Sequence, residues 1–393
     1  MNCLVLILPL LSCISGFMIT DYGGDPHAVV WSPKVPIQVF VERELPQSHR
    51  KAIEEVLQYY SDVTCLKYDL KRIFKIGSWL DHVEVNAPQR IMFTYYQGSF
   101  NACGSFATVA HEVGHSLGLI HTHSRKDRDN YVSVKLSNCS KWDRNCKSMK
   151  FNYDITLPQY QEDVGVPYDY GSVMHYSPVA GQKDRSRPFF VTKDKLRQYT
   201  IGNRASVANS DLLMINRRYG CMERCPQGPS PCRNGGFRNP NSCETCVCPF
   251  GLSGQFCTER SKGTEAACGS TNFASFSWKT LEGTLSTRKL KRINDYESRS
   301  CHWIIKPTFG HKLQIQITRV GPCHKDRHSC SNGGTELKIN NFHLGGYKFC
   351  CQDQLDTNVG NHVFETSDMA LINLDVQNGD QNFQIRYRQV LKL

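Results

Sequence analysis

After Phe17 the sequence has no apolar run approaching the roughly 18 residues that a membrane helix needs, which excludes a helical membrane span in the rest of the chain. It has no long basic tail and no nucleic-acid-binding motif. The formal net charge of +11, spread along the chain, therefore leans only slightly toward acidic partners or matrix and gives no argument for nucleic acid. Nor is it short of apolar residues: 40% hydrophobic against 21% charged excludes a largely disordered chain. What it has in excess is cysteine, with 19 in 393 residues. A reducing cytosol rarely hosts such a count without zinc clusters or redox motifs. At about 150 residues per domain, the length predicts two or three domains.

Residues Cys3 to Phe17, CLVLILPLLSCISGF, are apolar and uncharged. The run is too short to span a bilayer and fits the core of a secretory signal peptide, although the usual preceding positive charge is missing. Ser15 and Gly16 offer a cleavage point, so residues 1–16 are expected to be a signal peptide and residues 17–30 a short N-terminal or pro segment. The mature protein is expected to be soluble, secreted and extracellular. Asn138-Cys139-Ser140 is an N-glycosylation sequon, which has meaning in that compartment.

Three segments follow. The first, 31–221, opens on alternation at Val35, Ile37, Val39 and Val41, which predicts a half-buried strand. Ala52, Ile53, Val56, Leu57 and Tyr60 form an apolar stripe at helical spacing. Strand-like pieces follow at His82 to Val85 and Arg90 to Tyr96, then a helix over Phe106 to Leu117, then irregular sequence. One α+β domain fits. The second, 222–258, packs six cysteines into the 33 residues from Cys225 to Cys257, spaced C-x6-C-x10-C-x2-C-x-C-x8-C. So short a piece cannot form a core, so disulfides must hold it, and the secretory context argues against zinc as their partner. Its spacing resembles an EGF-like module, which implies the pairs Cys225–Cys243, Cys232–Cys246 and Cys248–Cys257. The third, 268–390, has short alternating strands separated by turns, the pattern of an all-β sandwich. Cys268, then Cys301-His302-Trp303-Ile304-Ile305 with Pro307 and Gly310, resembles the opening of a CUB domain. Cys323, Cys330, Cys350 and Cys351 would add two bridges. Asn332 to Glu336 stands where many CUB domains bind calcium, without their acidic motif, so no calcium site is expected.

Residues 111 to 121 read HEVGHSLGLIH, matching H-E-x-x-H-x-x-G-x-x-H. His111 and His115 are four apart, so they share a helix face and can bind one ion. Val109, Val113 and Leu117 lie on the opposite face and can anchor the helix. Gly118 can take the left-handed conformation that ends it, and His121 then reaches the metal from another direction. Three neutral imidazoles leave zinc its full charge and an open position for water, and Glu112 can take that water's proton. A lone histidine is more often structural than a ligand; three at this spacing are not. Downstream, Ser172-Val173-Met174-His175-Tyr176 matches, with the long zinc motif, the Met-turn of the metzincins. Met174 would form an apolar floor under the imidazoles, with Tyr176 near the metal.

With Arg125 to Val132 (RKDRDNYV) after the zinc motif, these strings resemble the astacin zinc metallopeptidases over Trp31 to Cys221. The order protease, EGF-like, CUB is similar to that of several secreted astacins, notably nematode ones. The resemblance implies a metzincin-type protease holding one Zn²⁺ per chain on His111, His115 and His121. Glu112 would be general base and then proton donor, and Tyr176 a switchable ligand that stabilises the tetrahedral intermediate. It also implies that Cys65 and Cys221 form the family's domain-spanning disulfide.

The chain departs from that family at several positions. Thr122 stands where the family has a Glu that binds the new N-terminus after propeptide removal, and no Lys or Arg precedes Lys34. Tyr22-Gly23-Gly24-Asp25 either resembles the family's zinc-blocking F-x-G-D stretch or is a plain turn. Release without a conventional latent form is expected. Cys103 lacks its usual partner; it is free, or pairs with Cys139 or Cys146. Removing Cys3 and Cys13 with the signal leaves an odd number of cysteines, so one thiol is free or intermolecular. The cluster Arg288 to Arg292 reads as a solvated edge or loop, a heparin-like contact or a processing site. Lys183, Arg185 and Arg187 offer cations for the acidic residue that family members often favour after the scissile bond.

The sequence therefore predicts a secreted zinc endopeptidase acting on extracellular protein or peptide substrates, with possible matrix contact through the CUB-like part. A catalytically silent matrix-binding protein that keeps a structural zinc is the alternative, and a metzincin of another branch a third.

Overall fold

The computed structural model describes residues 31–43, 45–73, 90–93, 105–138, 150–157, 161, 163–180, 185, 187–265, 268–287, 298–323, 328–356 and 361–392. The expected signal peptide, the strand at His82 to Val85, Cys103, Cys139, Cys146 and the cluster Arg288 to Arg292 lie outside them.

Strand β1 (Ile37–Glu42) lies between β2 (Tyr68–Ile73) and β3 (Arg90–Phe93), both parallel to it. The alternation predicts a half-buried strand. Instead Ile37, Val39, Phe40 and Val41 are all buried, as befits a central parallel strand, while Val35 sits exposed ahead of it. Strand β2 is not legible in the sequence because its side chains Asp69, Lys71 and Arg72 are charged; it is an edge strand that carries them into water, where Arg72 meets Glu54 at 2.9 Å. Helix α1 (Gln47–Val63) buries the predicted stripe of Ala52, Ile53, Val56, Leu57 and Tyr60. Helix α2 (Phe106–Ser116) buries Val109 and Val113 in the same core. The Tyr60 hydroxyl donates to the Ala110 carbonyl at 3.0 Å and fixes one helix on the other. In the irregular part that follows, β4 (Val132–Val134) pairs antiparallel with β5 (Phe190–Thr192).

Helix α3 (Asn209–Arg218) has no clear signal in the sequence. Its buried face mixes Leu212 and Ile215 with Asn209, Ser210, Asp211 and Asn216, so no apolar stripe marks it. The Cys65–Cys221 disulfide ties the residues after α1 to those after α3, the pair that the resemblance implies.

The second segment has the three implied bridges, Cys225–Cys243, Cys232–Cys246 and Cys248–Cys257. They staple two small hairpins, β6 (Phe237–Asn239) with β7 (Ser242–Val247) and β8 (Leu252–Ser253) with β9 (Glu259–Arg260). The third segment is a β-sandwich. One sheet has the order β10 (Thr271–Phe273), β12 (Arg299–Lys306), β17 (Ala370–Val376), β14 (Gly333–Ile339), β15 (Tyr347–Phe349). The other has the order β11 (Lys279–Ser286), β18 (Asp380–Leu391), β13 (His311–Gly321), β16 (Phe364–Thr366). Trp303 and Phe383 meet edge to face at 4.9 Å between the sheets. Bridges Cys268–Cys301, Cys323–Cys351 and Cys330–Cys350 complete it.

The three segments pack as one body. Strand β17 is buried at every position, because other segments cover the outer face of its sheet. Leu252 and Cys257 pack there on Ile304, Phe342 and Leu371, and Leu196 and Tyr199 of the first segment approach the sandwich core. A buried ion pair, Lys348–Asp375 at 3.0 Å, lies under this contact, and the backbone N–H of Lys348 donates to the Thr200 hydroxyl at 3.2 Å. Helix ends are closed across segments too. Asn241 Nδ2 donates to the carbonyls of Ser61, Asp62 and Thr64 at 2.9, 3.1 and 2.9 Å, covering the C-terminus of α1. At the start of α3, the Ser210 N–H donates to the His343 carbonyl of the sandwich at 3.1 Å.

Two glycines meet where the first segment touches the sandwich. A methyl group on Gly345 would collide with the Cα of Gly171 and stand 2.8 Å from its nitrogen. Gly345→Ala should therefore destabilise the folded chain by about 1–3 kcal/mol, the usual range for overpacking a closed site. Denaturant unfolding of the full chain with and without the substitution checks this.

Candidate metal centre

Helix α2 begins at Ser105, whose hydroxyl accepts the N–H of Thr108 at 3.2 Å, a normal N-cap. It ends at Gly118, φ +90°, with Gly118 N–H bonded to His115 O at 2.9 Å and Leu119 N–H to Gly114 O at 3.0 Å. This paired closure is the Schellman motif, and it turns the chain so that His121 comes back toward the helix.

There the three imidazoles converge. His121 Nε2 lies 3.0 Å from His115 Nε2 and 3.3 Å from His111 Nε2. The far ring nitrogens of the two helical residues are fixed by carbonyls: His111 Nδ1 donates to Val173 O at 2.7 Å and His115 Nδ1 to Leu119 O at 2.8 Å. A carbonyl only accepts, so the proton sits on Nδ1 and the Nε2 lone pair faces inward. Burial, then the neighbouring charges, push all three rings well below the ordinary histidine range, His115 to about 4, so all are neutral. Lone pairs facing one another at this range are costly unless a cation lies among them. Tetrahedral zinc with bonds of 2.0–2.1 Å requires nitrogens about 3.3 Å apart. The observed separations fit that ion, and no other donor set of this kind stands among the described residues apart from a group that includes the disulfide-bonded Cys323 and Cys351.

Glu112 follows His111 on the helix. Burial raises its carboxyl to about 7, with Arg204 pulling the other way, and its Oε2 is buried without a hydrogen-bond partner. Tyr176 is buried with its ring 4.4 Å from that of His121, and burial, then Glu112, raises its phenol to about 12. Its backbone N–H donates to His123 Nδ1 at 3.3 Å, and His123 Nε2 donates to Asn152 O at 3.1 Å. Met174 is fully buried, and its sulfur lies 2.9 Å from where a methyl on Gly114 would be, so α2 rests directly on it. The string after His121 acts as a brace: Arg125 grips Asp127 with two bonds of 2.9 Å, and Arg128 donates to His123 O at 3.0 Å.

Sequence reasoning misses the supports beneath. Ser172 Oγ donates to Asp211 Oδ1 at 2.6 Å and Val173 N–H to Asp211 Oδ2 at 2.9 Å. Thr122 Oγ1 donates to Ser172 Oγ at 2.9 Å. Burial and the neighbouring Asp169 raise Asp211 to about 7. Asp169 accepts from Ser210 Oγ at 2.5 Å, Gly171 N at 2.7 Å and Gly345 N at 2.8 Å. Arg204 is the unexpected cation. It is half-buried, donating to Val173 O at 3.0 Å and His175 O at 3.3 Å, and its charge acts on the three histidines, Glu112 and Tyr176. Arg185 and Arg187 are exposed, and Lys183 lies outside the described residues. Only folding brings Arg204 here, because no short spacing links it to the motif.

A helix bearing two imidazoles and a carboxylate, a third imidazole after the turn and a methionine floor define a zinc-dependent peptidase. Residues 25–220 match the peptidase family described as astacin. Zinc metalloproteinase nas-27 of Caenorhabditis elegans is 28% identical over 387 residues, covering 91% of this chain and 84% of that protein. Zinc metalloproteinase nas-31 of the same organism is 30% identical over 321 residues, covering 78% of this chain, which spans about half (48%) of that longer protein. Among solved structures, the hatching enzyme zinc-protease high choriolytic enzyme 1 of Oryzias latipes aligns at 20% identity and TM-score 0.37, covering 47% of this chain and 90% of that one. The chain belongs to the astacin family, as a zinc metalloendopeptidase.

Asp211→Ala would leave the Ser172 hydroxyl and Val173 N–H buried without their acceptor, at about 1–3 kcal/mol each. The variant should unfold at lower denaturant and bind zinc more weakly, since Val173 O orients His111; chemical unfolding and zinc titration measure both.

Proposed function

We propose that this chain is a secreted endopeptidase acting on extracellular or matrix proteins, with His111, His115 and His121 as its zinc ligands. The observation that carries the reading is the convergence of three inward-facing Nε2 atoms beside Glu112, whose buried Oε2 has no hydrogen-bond partner. Bound zinc supplies the Lewis acid that polarises the scissile carbonyl. Glu112 takes the proton of the attacking water and passes it to the leaving amine, a task for which a carboxyl raised toward neutrality is suited. Tyr176, its phenol kept protonated by burial, donates to the oxygen that gains charge. Arg204, whose charge acts on Glu112 and Tyr176, sets a preference for an acidic residue next to the scissile bond.

The division we favour is 31–221 as the protease, 222–258 as an EGF-like module and 268–390 as a CUB-like domain. The bridges within each of the latter two support it. The tail segments contact substrate or matrix. Among the described residues no helix is long and apolar enough to cross a membrane.

The purified protein, assayed on a quenched peptide library, should cleave in a chelator-sensitive way. Glu112→Ala should lose about 10²–10⁴-fold of that activity while holding its zinc. No cleavage by either protein, with zinc bound, would favour the catalytically silent binding protein. Tyr176→Phe should lower kcat about 10²–10³-fold with little change in KM, the signature of an interaction made in the transition state. Arg204→Met should abolish any preference for acidic residues in the same library.

A further inference from the structure

Two further histidines, His123 and His175, stand beside the three that converge, and both are fully buried. Burial disfavours the charged ring, so each carries one proton, placed where a partner can accept it. His175 Nδ1 lies 2.7 Å from Tyr176 O, and its Nε2 lies 2.7 Å from the Tyr168 hydroxyl. A carbonyl only accepts, so Nδ1 carries the proton and the Tyr168 hydroxyl donates to Nε2. His123 is arranged the other way round. Its Nε2 faces the Asn152 carbonyl at 3.1 Å and so carries the proton, which leaves Nδ1 to accept the Tyr176 N–H at 3.3 Å. The two rings therefore take opposite tautomers, and between them they hold both backbone groups of Tyr176.

The turn before Tyr176 is held as closely. Met174 N–H donates to Ser172 Oγ at 3.0 Å, and Met174 O accepts the Thr122 N–H at 3.2 Å. His175 N–H donates to Ser172 O at 3.1 Å, and His175 O accepts from Arg204 at 3.3 Å. With Asp211 on Val173 N–H and His111 on Val173 O, every backbone polar group from Val173 to Tyr176 has a partner. The phenol can then change place only by turning about its side-chain bonds. Its ring is set against two imidazoles, with centroids 4.3 Å from His123 and 4.4 Å from His121. These two stack on each other at 4.9 Å and 21°, and Phe190 backs His123 at 4.8 Å. On the far side of His175, Tyr168 stacks on Tyr131 at 4.3 Å and 9°, so that end of the clamp is fixed as well.

We propose that His123 and His175 are positioning residues for Tyr176, clamping its backbone in opposite tautomers so that the phenol reaches the oxygen that gains charge. This rests on the reading of Tyr176 as the donor to that oxygen. Such a donor works only within hydrogen-bond reach of the place where charge develops, and a displacement of about 1 Å can cost about 100-fold in rate. A neutral imidazole suits the task because it offers a donor and an acceptor on one rigid ring, so that fixing one nitrogen defines the other. Asn152 and Tyr168 fix the outer nitrogens, and the inner ones are thereby matched to an N–H and a C=O.

Nitrogen-15 NMR of the histidines in the full chain should find the proton on Nε2 of His123 and on Nδ1 of His175; the opposite tautomer at either overturns the proposal. On the peptide cleaved fastest in the library, His123→Leu and His175→Leu should each lower kcat about tenfold or more with little change in KM. His123→Asn keeps an acceptor near the Nδ1 position and His175→Asn a donor there, so both should recover most of the loss. Added to Tyr176→Phe, which leaves no hydroxyl to position, neither leucine substitution should lower kcat further. If a leucine variant does not fold, Tyr168→Phe, which removes only the oxygen bonded to His175, takes its place and should behave in the same way. Losses that simply add to that of Tyr176→Phe, or asparagine variants as slow as the leucine ones, would mean that these histidines only support the core. Full kcat in the leucine variants would equally overturn the proposal. Full kcat in Tyr176→Phe would remove the donor reading and the positioning role together, whereas a slow Tyr176→Phe with additive histidine losses would remove the positioning role alone.

Discussion

The metal centre depends on one residue's backbone, that of Val173. Its carbonyl accepts the Nδ1 proton of His111 and so fixes which nitrogen faces the other two imidazoles. Its N–H is held by Asp211, a carboxylate sunk in the core. Move that backbone and the His111 ring loses its orientation, although nothing in α2 has changed. The strength of this arrangement lies in its low-dielectric surroundings, where a satisfied hydrogen bond is rigid and a missing one expensive. Two acidic groups, Asp169 and Asp211, occupy the same buried region. Hydroxyls of Ser172 and Ser210 and the Arg204 guanidinium offset the cost of placing them together.

Thr122, one of the positions where the sequence departs from the family, joins this same system. It brings no charge, yet its hydroxyl donates to Ser172, which donates to Asp211. Its backbone N–H also donates to the Met174 carbonyl at 3.2 Å. The residue after the third histidine is thus still bound to the Met-turn from two sides.

Where local geometry decides the outcome, the sequence is legible. The i, i+4 histidines, the glycine after them and the stripe Val109, Val113, Leu117 follow from one helical period, and the structure places them accordingly. The bridges from Cys225 to Cys257 are named in advance by the resemblance to an EGF-like module, and the structure has the same pairs. Strand β2 and helix α3 are hidden for opposite reasons: one carries charge because it lies at an edge, the other buries polar groups because it supports the site. Arg204, Asp169 and Asp211 are joined to the histidines only by folding, across separations of many residues, and no periodicity carries that information. The expectation of a cation at Lys183, Arg185 and Arg187 rests on nearness to the Met-turn along the chain, whereas Arg204, whose charge acts on Glu112 and Tyr176, is brought there by folding alone.

Asn241 and His343 close helix ends that belong to a different part of the chain. In most modular extracellular proteins the parts are beads, and recombination can exchange them freely. Here an exchanged tail would have to supply again a donor to the carbonyls of Ser61, Asp62 and Thr64 and an acceptor for the Ser210 amide. Cutting the chain at Cys221 would therefore remove hydrogen-bond partners that two helices of the catalytic part use.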